Sequence, residues 1–146
     1  CIRDSYDTPF AVTITPSATS SKILLMGHVM GEFSFDDYLG SWRLNRAISG
    51  GSTTAIQAAS AGNRPLGISV APSGFYASNA DSTPTVINFA GLLDSPSTTS
   101  AITYTFQVNS TQLGSKTFYY NQTANSSDAV DYERGLSWIT AQEISG

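Results

Sequence analysis

The run Lys22–Phe35, KILLMGHVMGEFSF, constrains the fold most, because it alternates strictly between two kinds of residue. Successive side chains of a β-strand point to opposite faces, so this pattern predicts a strand whose odd-numbered face lies in a core. Gly27 and Gly31 remove bulk from that face, which predicts a bend, a bulge or a close crossing. The odd positions are all apolar or glycine: Ile23, Leu25, Gly27, Val29, Gly31, Phe33 and Phe35.

The even-numbered face of the same run is neither apolar nor properly polar. Three large apolar residues on this face, Leu24, Met26 and Met30, would be unusual in contact with solvent. We therefore expect another layer of the chain or a second subunit to cover them. The even positions are Lys22, Leu24, Met26, His28, Met30, Glu32 and Ser34.

Other stretches also alternate. Trp42, Leu44, Arg46 and Ile48 share one face of a predicted strand, and Ile102, Tyr104, Phe106 and Val108 share one face of another. In the stretch between them, strict alternation predicts that Ile87, Phe89, Gly91 and Leu93 lie on one face, with Val86, Asn88, Ala90 and Leu92 opposite. Further strands are predicted at 9–15, 66–71, 116–120 and 135–144.

Loops rich in Gly, Ser, Asn and Pro separate these strands, and no convincing helix is present. The Ala-rich run 52–62 lacks caps and a sustained apolar face, so it predicts at most a short turn of helix. We therefore predict an all-β protein, an antiparallel jelly-roll β-sandwich of about eight strands. Residues 1–146 form one domain in this interpretation, with a short N-terminal arm, residues 1–8, that links to a preceding segment or a neighbour.

Charge excludes some partners. Only 12% of the residues are charged and the formal net charge is −4, a composition typical of extracellular modules and virion surface proteins. The seven Lys and Arg residues are scattered, so we expect no nucleic-acid partner. No apolar stretch reaches the roughly 18 residues that span a bilayer, so we expect no membrane partner. Cys1 is the only cysteine, which rules out a disulfide within the chain and leaves either a free thiol or a bond to a neighbouring subunit.

The chain offers little material for catalysis. His28 is the only histidine, lies within a predicted strand, and is better explained as a packed residue than as a catalytic base. No Gly-x-Ser-x-Gly motif is present. Asp128, Asp131 and Glu133 lack the fixed spacing of a calcium loop, and a solvated loop explains them. We predict no catalytic residue, no bound metal and no cofactor.

Aromatic residues in and beside loops are the remaining candidates for binding. Such side chains can stack on sugars and are also common on protein-recognition surfaces, although core packing is the alternative for each of them. The predicted ligand-binding residues are Phe75, Tyr76, Asn79, Asp81, Tyr119, Tyr120 and Asn121, with Arg64 as a polar anchor.

Three Asn residues fit the N-glycosylation pattern: Asn109, Asn121 and Asn125. Such motifs arise readily by chance in a chain rich in Ser, Thr and Asn. They would be real sites only if the protein were a secreted eukaryotic one.

The order of several short motifs resembles virion structural proteins of marine bacteriophages, cyanophages especially, of the tail-fibre-like kind. The resemblance covers the chain from about Thr15 to Ile144. It is carried by Ser20-Ser-Lys-Ile23, by Asp94-x-Pro96 followed by Thr103-Tyr104, and by Ile139-Thr140-x-x-Glu143-Ile144.

This resemblance implies a trimeric jelly-roll module, similar in shape to tumour-necrosis-factor-like heads, on the surface of a virion. The implied partners are two further copies of the chain, other virion proteins, and a host surface glycan or protein receptor. Packing around a three-fold axis would cover the even face, so we predict a subunit interface formed by Leu24, Met26, His28, Met30 and Trp138. The alternative is that this strand and the C-terminal one are central to the sandwich and carry a bulge.

The sequence leaves two other functions open. One is a monomeric carbohydrate-binding module, and the other is a secreted signalling head of the tumour-necrosis-factor type. Exposed aromatic residues without subunit contacts would favour the first, and occupied glycosylation sites would favour the second.

Overall fold

In the computed structural model of the protein, the described residues are 5–34, 40–60, 62, 64, 66–70, 84–110 and 117–146. They form nine β-strands and no helix. The strands are β1 (Ser5–Ile14), β2 (Lys22–Phe33), β3 (Gly40–Ile48), β4 (Thr53–Ile56), β5 (Ser69–Val70), β6 (Thr85–Asp94), β7 (Ile102–Ser110), β8 (Phe118–Tyr120) and β9 (Trp138–Ile144).

The strands form two antiparallel sheets that pack face to face. Sheet A has the order β1-β7-β3-β4, and β5 also pairs with β3. In sheet B, β2 lies between β6 on one side and both β9 and β8 on the other. The predicted all-β antiparallel sandwich is therefore confirmed, and the finer jelly-roll connectivity stays a prediction.

The core lies between the inward rows of the two sheets. Trp42, Leu44, Tyr104 and Phe106 of sheet A are fully buried, and they face a row from β2. Each such side chain contributes about 1.5–3 kcal/mol when it leaves water. The predicted odd face of β2 is confirmed by Ile23, Leu25, Val29 and Phe33, which are at most 2% exposed, whereas Phe35 lies outside the described residues.

A bulge interrupts the pairing of β2 with β6. Gly27 pairs with Phe89 and Leu25 with Leu92, so β6 has one residue more than β2 across this interval. A side chain at Gly27 would overlap the Phe89 ring, and Gly91 takes the positive φ of 76° that favours glycine. The bulge expected at the glycines of β2 is thus present, with the additional residue in β6.

The bulge makes the predicted alternation of β6 wrong beyond Phe89. Leu92 packs against the core, while Leu93 is 50% exposed. One additional residue shifts the two-residue period of a strand, so every later side chain changes face.

The Ala-rich run does not form the turn of helix considered for it. Its first part is the strand β4, which pairs with β3 from Leu44 to Ala47. Gly50 turns the chain with φ 71°, and the Ile48 amide donates to the Ser52 carbonyl across the turn. The β-branched Thr53 and Thr54 then continue as a hairpin strand.

The N-terminal strand begins earlier than predicted. Ser5, Tyr6 and Asp7 pair with β7, so the predicted arm of residues 1–8 overlaps β1. Cys1 lies outside the described residues.

A buried polar cluster joins the two sheets. Asp94, at the end of β6, accepts hydrogen bonds from Arg46 Nη1 (2.7 Å) and the Tyr104 hydroxyl (2.8 Å). The Arg46 and Asp94 side chains are only 17% and 12% exposed. Burial, reinforced by the Asp94 carboxylate, raises the pKa of Tyr104 above its ordinary value. The tyrosine therefore stays a neutral donor to the carboxylate.

Candidate functional site: the outer face of sheet B

The side of sheet B that points away from the core is defined here as the outer face of sheet B. Its central row consists of the even-numbered residues of β2, and cross-strand pairing places residues of β6 and β9 on either side. Besides the β2 row, the face comprises Val86, Asn88, Leu93, Trp138, Thr140, Gln142 and Ile144.

Much of this face is apolar and in contact with solvent. Val86, Leu93 and Trp138 are 48%, 50% and 49% exposed, and Ile144 is 39% exposed. Leu24 and Met26 lie half-buried between these neighbours. The exposed polar residues Asn88, Thr140 and Gln142 lie among these apolar side chains, and apolar groups rimmed by polar residues mark interaction sites.

The chain itself covers one end of the face. Met30 is 6% exposed and Glu32 is 1% exposed, because the segment 121–137 packs over them. A Cβ added to Gly135 would lie 3.1 Å from Met30 Cγ, and the Met30 amide donates to Ser137 Oγ. Of the five predicted interface residues, Met30 is therefore buried by its own chain. The other four, Leu24, Met26, His28 and Trp138, remain on the open part of the face.

His28 has neighbours that explain it without catalysis. Its Nδ1 lies 2.8 Å from Asn88 Oδ1, which accepts the hydrogen bond. Its ring stacks on Trp138 at a centroid distance of 6.4 Å and an interplanar angle of 11°. No carboxylate among the described residues hydrogen-bonds His28, so the orienting acid of a triad is missing from its described surroundings.

The predicted ligand-binding residues separate into three groups. Tyr119 lines a polar cleft near the end of β2. Tyr120 instead packs against the core, edge-on to Phe118 at 4.8 Å, with a buried hydroxyl oxygen. Asn121 helps to hold the covering segment, which is the name used here for residues 121–137. Its Oδ1 accepts a hydrogen bond from the Ser137 hydroxyl, and its backbone amide donates to the Met30 carbonyl.

The remaining predicted ligand residues do not join Tyr119. Arg64 is exposed in the segment before β5, which pairs with sheet A. Phe75, Tyr76, Asn79 and Asp81 lie outside the described residues.

The three Asn residues of the glycosylation pattern are not equally accessible. Asn109 is 5% exposed, with its Oδ1 buried and unpartnered in the described part of the chain. Asn121 and Asn125 are half-buried, and both use their side chains within the covering segment. A glycan on Asn109 would require the strand end to open.

Val86, Asn88 and Leu93 belong to the face but were not among the predicted interface residues. Simple alternation places Val86 and Asn88 on the face opposite Ile87, so the sequence did contain a signal for them. Leu93 could not be found in this way, because the bulge moves it to the other side of the sheet.

Acidic residues do not gather into a metal site in the described part of the chain. No group of three or more His, Cys, Asp or Glu residues there could hold an ion. Asp128, Asp131 and Glu133 are each exposed. The described residues also contain no helix of the length and apolarity that crossing a membrane requires.

Comparison of the chain with protein-family models, with curated proteins and with solved structures finds no match. The likeness to phage structural proteins therefore stays a prediction from short motifs, and the outer face of sheet B carries the functional argument.

Proposed function

We propose that this chain is a non-enzymatic structural module that assembles with further copies of itself through the outer face of sheet B. The observation that carries the proposal is the exposed apolar group of Val86, Leu93, Trp138 and Ile144 around the half-buried Leu24 and Met26. Burying such a group on a partner contributes roughly 25 cal/mol per Å² of apolar surface removed from water.

The charge pattern of the face favours a second copy as the partner. Lys22, at one end of β2, is the charged residue of its open part, and Glu32 is already covered. Two such faces can meet without setting like charges against each other or burying an unpaired charge. Homo-oligomeric interfaces are also more apolar than those of transient complexes.

The number of copies and the place where the protein acts are proposed from the sequence resemblance. The likeness to tail-fibre-like phage proteins suggests three copies around an axis, a position on the virion surface and contact with other virion proteins. A rigid trimer could present three equivalent sites to a host receptor, and linked weak sites gain about 10²–10⁴ in avidity.

The burial of Asn109 weakens the alternative of a secreted, glycosylated signalling head, because one of its three glycosylation sites is shielded. A non-enzymatic role is supported by His28, whose described partners are an amide and an indole ring.

The first experiment measures native mass over a dilution series, by sedimentation or light scattering. We expect the mass of three chains at micromolar concentration. Leu93→Glu places a charge beside Leu24 on this face and should weaken association by about 100-fold or more, since burying a charge in an apolar interface is costly. Ala11→Glu is the matched control, because Ala11 is exposed on the outer side of sheet A.

A wild-type mass of one chain at every concentration would contradict the proposal. Equal effects of Leu93→Glu and Ala11→Glu would also contradict it, because association would then not depend on the outer face of sheet B. A mass of two chains would keep the face as the interface and replace the three-fold arrangement by a two-fold one.

A further inference from the structure

A polar cleft of about 300 Å³ opens where β2 ends, beyond the covered end of the outer face of sheet B. The cleft lies between Ser34, which directly follows β2, the short strand β8 and the first part of the covering segment, residues 121–137. Its lining residues are Ser34, Tyr119, Ala124, Asn125 and Ser126.

The wall formed by the covering segment is held in place from below. The buried Glu32 carboxylate accepts a hydrogen bond from the Ala124 amide at 2.6 Å. Thr123, 1% exposed, donates to the Asn125 carbonyl. These hydrogen bonds order the wall in the absence of a ligand. Binding would therefore cost little further conformational entropy in this segment.

Hydrogen bonds fix both the nitrogen and the oxygen of the Asn125 side-chain amide. Its Nδ2 donates to the Tyr132 hydroxyl at 3.0 Å, and its Oδ1 accepts from the amide and hydroxyl of Ser127. The second Nδ2 hydrogen remains as a donor beside the cleft.

The opposite wall consists of β-sheet. Ser34 and Thr117 exchange backbone and side-chain hydrogen bonds at 2.8 and 3.1 Å, which leaves the Ser34 hydroxyl hydrogen as a donor. Tyr119 pairs directly with Glu32, so both side chains lie on the outer side of sheet B. None of the described residues hydrogen-bonds the hydroxyl of Tyr119 or of Ser126.

The chemistry of this lining indicates the class of ligand. Its described lining residues combine one aromatic ring with several neutral hydroxyl and amide groups, and none of these described residues is Lys or Arg. A pyranose sugar has an apolar C–H face that suits an aromatic ring and a rim of hydroxyl groups that suits such donors and acceptors. An anionic ligand would find no counter-charge among the described lining residues, and Asp128 is exposed two residues beyond Ser126.

We propose that this cleft binds a neutral pyranose sugar, with Tyr119 as the stacking residue and Ser34, Asn125 and Ser126 as hydrogen-bonding residues. Its volume is at the lower end of the range of about 300–1,000 Å³ for ligand sites, which suits one sugar unit of a longer glycan. This inference goes beyond the assembly role and does not depend on it.

The cleft and the apolar part of the face do not compete for space. Ser34 is ten residues beyond Leu24 along the same chain direction, about 33 Å at the rise of an extended strand. An assembly formed around Leu24 and Leu93 would therefore leave the cleft of each copy at its periphery.

The test uses the whole chain and saturation-transfer NMR with free sugars. The probes are glucose, galactose, mannose and N-acetylglucosamine, with N-acetylneuraminic acid as the anionic comparison, and a glycan array extends the set to longer neutral chains. We expect millimolar binding of at least one neutral sugar and weaker binding of the anionic one. Tyr119→Ala should weaken binding by about tenfold, while Tyr119→Phe, which keeps the ring, should change it by less than about threefold.

Two further variants make the result specific to the cleft. Ser126→Ala alters an exposed side chain that the fold does not need, and it should weaken binding by about twofold to fivefold. Val70→Ala removes an exposed apolar side chain from β5 of sheet A, outside the cleft and the outer face of sheet B, and should leave sugar binding unchanged. No binding of any neutral sugar would overturn the proposal, and so would binding that Tyr119→Ala and Ser126→Ala leave intact or a preference for the anionic sugar.

Discussion

The outer faces of the two sheets differ in what their side chains do. On sheet A, Arg43 donates from Nε to Gln107 Oε1 at 2.7 Å and from Nη1 to Gln57 Oε1 at 2.9 Å. Thr13 and Thr103 share a hydrogen bond at 2.9 Å across β1 and β7. On sheet B, the corresponding outward positions include Val86 and Leu93, each about half exposed.

Both sheets contribute apolar inward rows to one core, so the difference lies in the outward rows alone. On the outer face of sheet A, Arg43 and the threonine pair hydrogen-bond to neighbouring side chains, while Asn109 Oδ1 has no partner among the described residues. The outer face of sheet B exposes aliphatic and aromatic carbon, which water solvates poorly. Apart from Val70, which is 61% exposed on β5, the outer face of sheet A is suited to solvent and that of sheet B to a partner. This contrast can be tested by changing each face separately.

The largest effect on stability is expected for a variant that leaves both outer faces unchanged. Asp94→Ala removes the carboxylate that joins Arg46 of one sheet to the other, and it leaves a cation poorly paired in the interior. We expect a loss of about 2–4 kcal/mol in the free energy of unfolding, measured by urea denaturation.

Asp128→Ala is the matched control, because Asp128 is exposed, and it should change stability by less than about 0.5 kcal/mol. If Asp94→Ala cost no more than this control, the polar cluster would not join the sheets. Association of the folded protein should be retained in both variants, which separates stability from assembly.

A second variant gives the outer face of sheet B the character of the other face. Val86→Thr combined with Leu93→Thr places β-branched residues, which are suited to strands, at both positions and lowers the apolar area. We expect association to weaken by about tenfold or more, because each lost apolar side chain removes about 1 kcal/mol or more from the interface.

The melting temperature of the dilute chain should stay within a few degrees of the wild type. Unchanged association of this double variant, measured by sedimentation, would break the proposed contrast between the faces.

A third variant perturbs the polar face. Arg43→Met keeps the aliphatic stem but removes two hydrogen bonds, one to the 7% exposed Gln107 and one to Gln57. We expect a loss of about 1–2 kcal/mol in unfolding free energy and no change in native mass. A change in mass with unaltered stability would instead assign the partner contact to sheet A.

The smallest effect concerns an edge where β1 and β9 approach each other. Glu143 accepts from the Ser17 amide and hydroxyl, both at 2.7 Å. The nearby Ser21 hydroxyl, and then the hydrogen bonds from Ser17, lower the pKa of Glu143 below its ordinary value. The folded state thus favours the ionised form, so this contribution is present above the unfolded pKa, about 4.3, and is lost as pH falls through the lower folded pKa.

The Glu143→Gln variant should therefore be less stable than the wild type at neutral pH. Its stability should also change less than that of the wild type as the pH falls below about 4.3. Thermal unfolding between neutral pH and pH 3 measures this difference. Parallel stability curves for the two proteins would show that the serine hydrogen bonds do not favour the carboxylate.

Local alternation was enough to determine which faces of β2, β3 and β7 lie in the core. The odd residues of β2 and the row of Trp42 and Leu44 needed no knowledge of their partners, since side-chain direction in a strand depends only on position along it. The same reasoning identified the unusual outward row of Leu24 and Met26. Catalytic candidates were few for a similarly local reason, the presence of one histidine.

Tertiary structure alone decided what depends on residues distant in the chain. The Phe89 ring, placed over Gly27, accompanies the bulge that turned Leu93 outward, and no alternating pattern records such a shift of register. The segment 121–137 folded back over Met30 and Glu32, so an outward position became a buried one. Pairing of β8 with β2 sent Tyr120 into the core and Tyr119 to the cleft. The sequence thus determined which residues are apolar and how they alternate, while packing between distant strands determined which of them another part of the chain covers.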